Sequence, residues 1–221
     1  MATTLLDRDS YAPADPYAGA IINVPAPASS IADPGPLGLA AFALTTFMLS
    51  MVNAGVMDVR VEPVVFGVAL FYGGIAQLLA GMWEFMKNNT FGALAFTSYG
   101  AFWLSFWYLV THLDSFAEGA PVKRGVGLFL LAWTLFTLYM TVASLRTSRA
   151  LFGVFVLLSV TFVLLTLGNL MTGTLAADLV KAGGWTGLVT AFGAWYCSFA
   201  GVLAATFKRT VLPTGPAPIH D

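Results

Sequence analysis

The sequence predicts an all-α integral membrane protein, a bundle of six transmembrane helices in each protomer. Three observations carry this. Hydrophobic residues make up 58% of the 221 positions and charged ones only 10%, whereas a soluble domain carries about 25%. The charges are also patterned: none falls between Asp33 and Asp58, Glu62 and Glu84, Lys87 and Asp114, Arg124 and Arg146, Arg149 and Asp178, or Lys181 and Lys208. Each run is long enough for the ~20 residues that cross a hydrocarbon core, and each is continuously apolar where a membrane strand would alternate.

Residues 1–35 are rich in Pro, Ala and Asp and have no apolar stretch beside Met1, so they are expected to form a disordered cytoplasmic tail and not a secretory signal. The first helix is expected from Pro36, suited to a first turn where no intrahelical N–H is lost, to about 56. The others are expected at about 63–85, 91–111, 125–145, 150–169 and 184–207, with 208–221 as a cytoplasmic C-terminal tail. With six helices both termini share a side. That side holds Arg8, Lys87, Arg146, Arg149, Lys208 and Arg209, against Arg60, Lys123, Arg124 and Lys181 opposite, so cytoplasmic termini are expected. Trp83 and Trp185 fit interfacial belts.

What the chain lacks narrows its function. A net charge of −1 with scattered basic residues offers no nucleic-acid surface. Cys197 is the only cysteine and His112 and His220 lie far apart, so no metal site is expected. No phosphate-binding loop, hydrolase motif or cofactor signature is present. No carboxylate falls in the interior of a predicted helix, where it would mark a proton relay; Glu84, near the cytoplasmic end of the second, is expected at a solvated interface.

Neutral polar residues recur at membrane depth instead. Thr45, Thr46, Ser50 and Asn53 lie with Phe42 mainly on one stripe of the first helix. Gln77 lies on the second, Thr97, Ser98 and Tyr99 on the third, and Ser159 and Asn169 on the fifth. Such groups either bond between helices or line a polar path. Their occurrence on four helices favours a path for a small solute, with hydroxyl and amide donors that bind an anion weakly enough to release it. Small residues, namely Gly67, Gly74 and Gly81 on the second helix and Gly183, Gly187, Ala191 and Ala194 on the sixth, mark close helix packing, within the protomer or between protomers.

Several motifs in order resemble one family: Asp33-Pro34-Gly35-Pro36-Leu37-Gly38-Leu39, Asn53-Ala54-Gly55, Phe71-Tyr72-Gly73-Gly74-Ile75-Ala76-Gln77, Gly81 with Glu84, Asn89-Thr90-Phe91-Gly92, Ala95-Phe96-Thr97-Ser98-Tyr99-Gly100, Phe102-Trp103, Gly168-Asn169, Gly184-Trp185 and Arg209-Thr210-Val211-Leu212-Pro213. Over residues 33–215 the chain is similar to the acetate uptake transporter family, which includes the bacterial succinate–acetate permeases. The resemblance implies a homohexamer in the cytoplasmic (inner) membrane, a pore through each protomer, and passage of acetate or succinate as a channel or as a proton symporter. It also implies a narrow apolar constriction of Phe42, Tyr99 and Leu158. The chain departs from the family signature at Asp33, where Asn is usual, at Gly35, where Ala is usual, and at Val52, where bacterial members often have His. Apart from the resemblance, a channel for neutral solutes such as ammonia, urea or glycerol fits the same polar stripe, whereas a membrane enzyme or assembly factor fits it poorly.

Overall fold

The computed structural model describes residues 31–113 and 120–219; the expected N-terminal tail up to residue 30, with Arg8, lies outside them, as does His220. Seven α-helical segments follow one another: α1 Gly35–Asn53, α2 Pro63–Leu70, α3 Gln77–Met86, α4 Thr90–Thr111, α5 Ala120–Ala143, α6 Arg149–Leu170 and α7 Thr174–Phe207. A π-helical stretch, Phe71–Ala76, joins α2 to α3, so these two make a single span. Six spans of the described residues are thus long and apolar enough to cross a membrane.

The spans close into a ring. α1 packs on α7, α7 on α6, α6 on α5, α4 on α3 and α3 on α1. The sixth side is different: the backbones of α4 and α5 approach only sparsely, and large rings fill the gap. Phe102 stacks on Phe129 at 5.5 Å and meets Trp133 edge-on at 5.3 Å, while Tyr99 meets Phe136 edge-on at 5.3 Å. Such offset and edge-to-face geometries suit aromatic quadrupoles.

Glycine sets the tightest helix approaches. A Cβ on Gly184 would collide with the backbone of Ala54, and one on Gly187 with the Ser50 hydroxyl, so α1 and α7 are in backbone contact. Gly183 packs on Leu165 of α6, while Ala191 and Ala194 are buried. The small residues of the last span therefore serve packing inside the protomer. Gly74 and Gly81 do likewise against Leu104 and Thr97 of α4, but Gly67 faces open space. The π turn is the reason: its extra residue rotates everything beyond it relative to a regular helix, which breaks the seven-residue stripe.

Two further departures from the sequence reading have physical causes. The last helix begins at Thr174, not near 184. Asp178 and Lys181 end the apolar run, yet the helix runs on through them and starts ten residues before Gly184, about 15 Å at 1.5 Å per residue. Charge marks the edge of the apolar layer and not the end of the helix. The C-terminal segment also docks instead of trailing. The Arg149 and Ala150 N–H groups donate to the carbonyls of Pro216 (3.1 Å) and Thr214 (2.9 Å), so the strap satisfies donors that the first turn of α6 leaves free.

These contacts predict opposite outcomes for two glycine substitutions. Gly184→Ala should destabilise the fold by about 1–3 kcal/mol through overpacking. Gly67→Ala meets no neighbour and should be neutral or stabilising by up to about 1 kcal/mol. Thermal unfolding in detergent compares them.

Candidate functional site

Two cavities lie in series inside the ring. One, of about 260 Å³, opens toward the end that carries Glu62, Asn53, Asn169 and Val180. The other, of about 170 Å³, opens toward the end that carries Asp33, Glu84 and Asn89. Only Phe42 of α1 and Leu158 of α6 line both; they form the wall between them. Tyr99 of α4 lines the smaller cavity against this wall, its ring 5.8 Å from that of Phe42.

Helical periodicity supplies the lining. On α1 it is Phe42, Thr46, Leu49, Ser50 and Asn53, spaced by three or four residues. On α4 the same spacing brings Tyr99, Trp103, Phe106 and Val110 inward, and on α6 Leu158, Thr161, Phe162, Leu165 and Asn169. The wall itself offers no hydrogen-bond donor. The Tyr99 hydroxyl lies 3.0 Å from Thr137 Oγ1, and the single Thr137 proton goes to the Trp133 carbonyl at 2.8 Å. Tyr99 is therefore the donor to Thr137, and its proton is committed.

Of the residues the polar stripe singled out, Thr46, Ser50, Asn53 and Asn169 line the larger cavity and Gln77 the smaller. Thr45, Thr97 and Ser98 line neither. Thr45 bonds back to the Ala41 carbonyl at 2.9 Å and packs where a Cβ on Gly73 would sit. Thr97 fills the notch at Gly81. Both hydroxyls support helix packing, the α1 stripe being narrower than the spread of its polar residues. Ser159 pairs with Thr141 at 2.8 Å between α6 and α5.

Of the lining residues that the polar stripe did not single out, two matter most. Trp103 Nε1 is buried with no partner, as is Thr46 Oγ1, and both residues line the larger cavity. The interval of four from Tyr99 would have placed Trp103 on the inner face. Glu84 is the second and corrects an expectation. It is 1% exposed and accepts a 2.8 Å hydrogen bond from Asn89 Nδ2. It lies one residue from exposed Trp83 and Phe85, but its own face of α3 turns inward. A carboxyl group does lie inside the bundle. The ends group as the charges foretold: Lys87 bonds Asp33 at 2.8 Å, and Lys123 donates to the Met171 carbonyl at 3.2 Å on the other side.

A model of the GPR1/FUN34/yaaH family matches residues 19–219. The chain belongs to that family. It is 43% identical to ammonia transport outward protein 2 of Saccharomyces cerevisiae, over 87% of this chain and 68% of the relative. It is 39% identical to the succinate-acetate/proton symporter SatP of Escherichia coli, over 85% of this chain and 97% of that one. The solved structure of the bacterial acetate channel SatP superposes with a TM-score of 0.77 at 40% identity, covering 84% of this chain and 99% of that chain. The protein is thus a multi-pass membrane protein of a family with transporters and a channel among its members.

The Tyr99–Thr137 pair gives a testable asymmetry. Thr137→Val leaves a buried phenol without an acceptor and should cost about 1–3 kcal/mol, whereas Tyr99→Phe removes only the bond and should cost about 1 kcal/mol or less. Equal melting temperatures for the two variants in detergent would contradict this account.

Proposed function

We propose that the protein carries small monocarboxylates, chiefly acetate, and also the dicarboxylate succinate, across the cytoplasmic membrane through a path in each protomer. The observation that carries this reading is the pair of cavities in series, separated only where Phe42 and Leu158 meet beside Tyr99. Solute enters a largely apolar vestibule that carries a few polar groups, crosses a neck one side chain thick, and leaves by a second such vestibule. Thr46, Asn53 and Asn169 on one side and Gln77 on the other offer neutral groups that hold an anion weakly, as throughput requires. The neck, with Tyr99 turned to Thr137, gives no donor. It therefore acts by excluding water and width, because a bare carboxylate pays heavily to leave water. The names of two relatives, a succinate-acetate/proton symporter and an acetate channel, supply the substrate class. The same reading places both termini in the cytoplasm, makes the assembly a homohexamer and treats the chain as a conduit with no catalytic activity.

Sealed vesicles with the reconstituted protein should accumulate labelled acetate well above empty vesicles, and Tyr99→Ala should raise the rate or admit larger carboxylates. Vesicles that take up none would refute the proposal. A second reading, passage of a neutral solute such as ammonia, is favoured by the name of the yeast relative and by the donor-free neck. It expects flux that ignores membrane potential.

A further inference from the structure

The smaller cavity reaches the surface beside Asp33. Asp33 Oδ1 accepts from the Gly35 N–H at 3.1 Å and holds Lys87 Nζ at 2.8 Å. A Cβ on Gly35 would lie 3.2 Å from Asp33 Oδ1 and 3.5 Å from Glu84 Oε1, so the two carboxyl groups face the same glycine. Among the described residues, Asp33 and Glu84 are the only charged ones that line this cavity. Deeper in it Gln77 is 1% exposed and its Oε1 has no partner, a polar group presented where a solute would pass. A cation stands at this mouth, and a carboxylate cancels it.

We propose that Asp33 is a specificity-determining residue, which neutralises Lys87 at the mouth of the smaller cavity and so favours monocarboxylates over dicarboxylates. The inference rests on the monocarboxylate reading above. Its physics is the dependence of local concentration on charge. A potential at the mouth changes the occupancy of a monoanion by some factor and that of a dianion by the square of the factor. Asn in place of Asp keeps an oxygen for the Gly35 N–H, so Asp33→Asn removes one negative charge while the turn stays in place. The result does not depend on whether Glu84 is ionised, since the change in charge is the same either way.

The test is initial uptake of labelled acetate and labelled succinate into sealed vesicles near pH 8, where succinate is a dianion, at low salt and at substrate concentrations far below saturation. For a unit charge at about 8 Å in a watery mouth, Asp33→Asn should raise acetate flux about 2.4-fold and succinate flux, by the square, about 6-fold. Lys87→Met, which leaves Asp33 unpaired, should lower both in the same squared relation. Both effects should fade in about 0.5 M salt, where screening is shorter than the width of the mouth. An unchanged succinate-to-acetate ratio in both variants, or equal changes in both fluxes, would overturn the proposal. Loss of acetate flux in the unaltered protein would instead overturn the transport reading on which it rests. Circular dichroism and gel filtration of each variant separate a folding defect from an electrostatic effect; a misfolded Asp33→Asn leaves Lys87→Met to decide.

Discussion

The backbone contact between α1 and α7 is the constraint on which the rest of the molecule depends. In lipid there is no hydrophobic gain from bringing two apolar helices together, so close packing has to supply the association. Gly184 against Ala54 and Gly187 against Ser50 allow that closeness. The contact joins the first span to the last and so turns a row of helices into a ring. It also aims α1 inward, which brings Phe42 opposite Leu158 of α6 and gives the two cavities their common wall.

The opposite side of the ring works by a different principle. Where α1 and α7 meet through absent side chains, α4 and α5 meet through the largest ones. The stack of Phe102, Phe129, Trp133 and Phe136 holds the helices apart while Tyr99 and Thr137 tie them by a buried hydrogen bond. A wide side and a narrow side together leave an interior lumen, and rings supply the apolar surface around Tyr99. The hydroxyl that could have given this region a polar character is used to fix the tyrosine in place.

The polar residues of the bundle divide between two tasks. Thr45, Thr97, Ser159 and Thr141 stand at helix interfaces, and three of these hydroxyls bond back to a preceding carbonyl or to each other. Thr46, Asn53, Gln77 and Asn169 line cavities, and Trp103 joins them with an unpartnered indole N–H. Adjacent residues such as Thr45 and Thr46 fall on opposite sides of this division because one residue turns a helix by about 100°. A polar residue in a membrane helix is therefore informative only once the face it occupies is known.

The sequence by itself determined the membrane class, the six spans, the sorting of charges between the two ends and, through ordered motifs, the family. Each depends on local quantities such as apolar run length, charge position and residue identity, and the bilayer enforces these segment by segment. Tertiary structure alone decided the rest. It showed that the span from Pro63 to Met86 is broken by a π turn, that Glu84 is turned inward, that α7 outruns its apolar segment and that the C-terminal strap caps α6. These features depend on which helix faces which and on how closely. That is fixed by contacts between residues far apart in the chain, as between Gly184 and Ala54, and no local pattern of residues contains it.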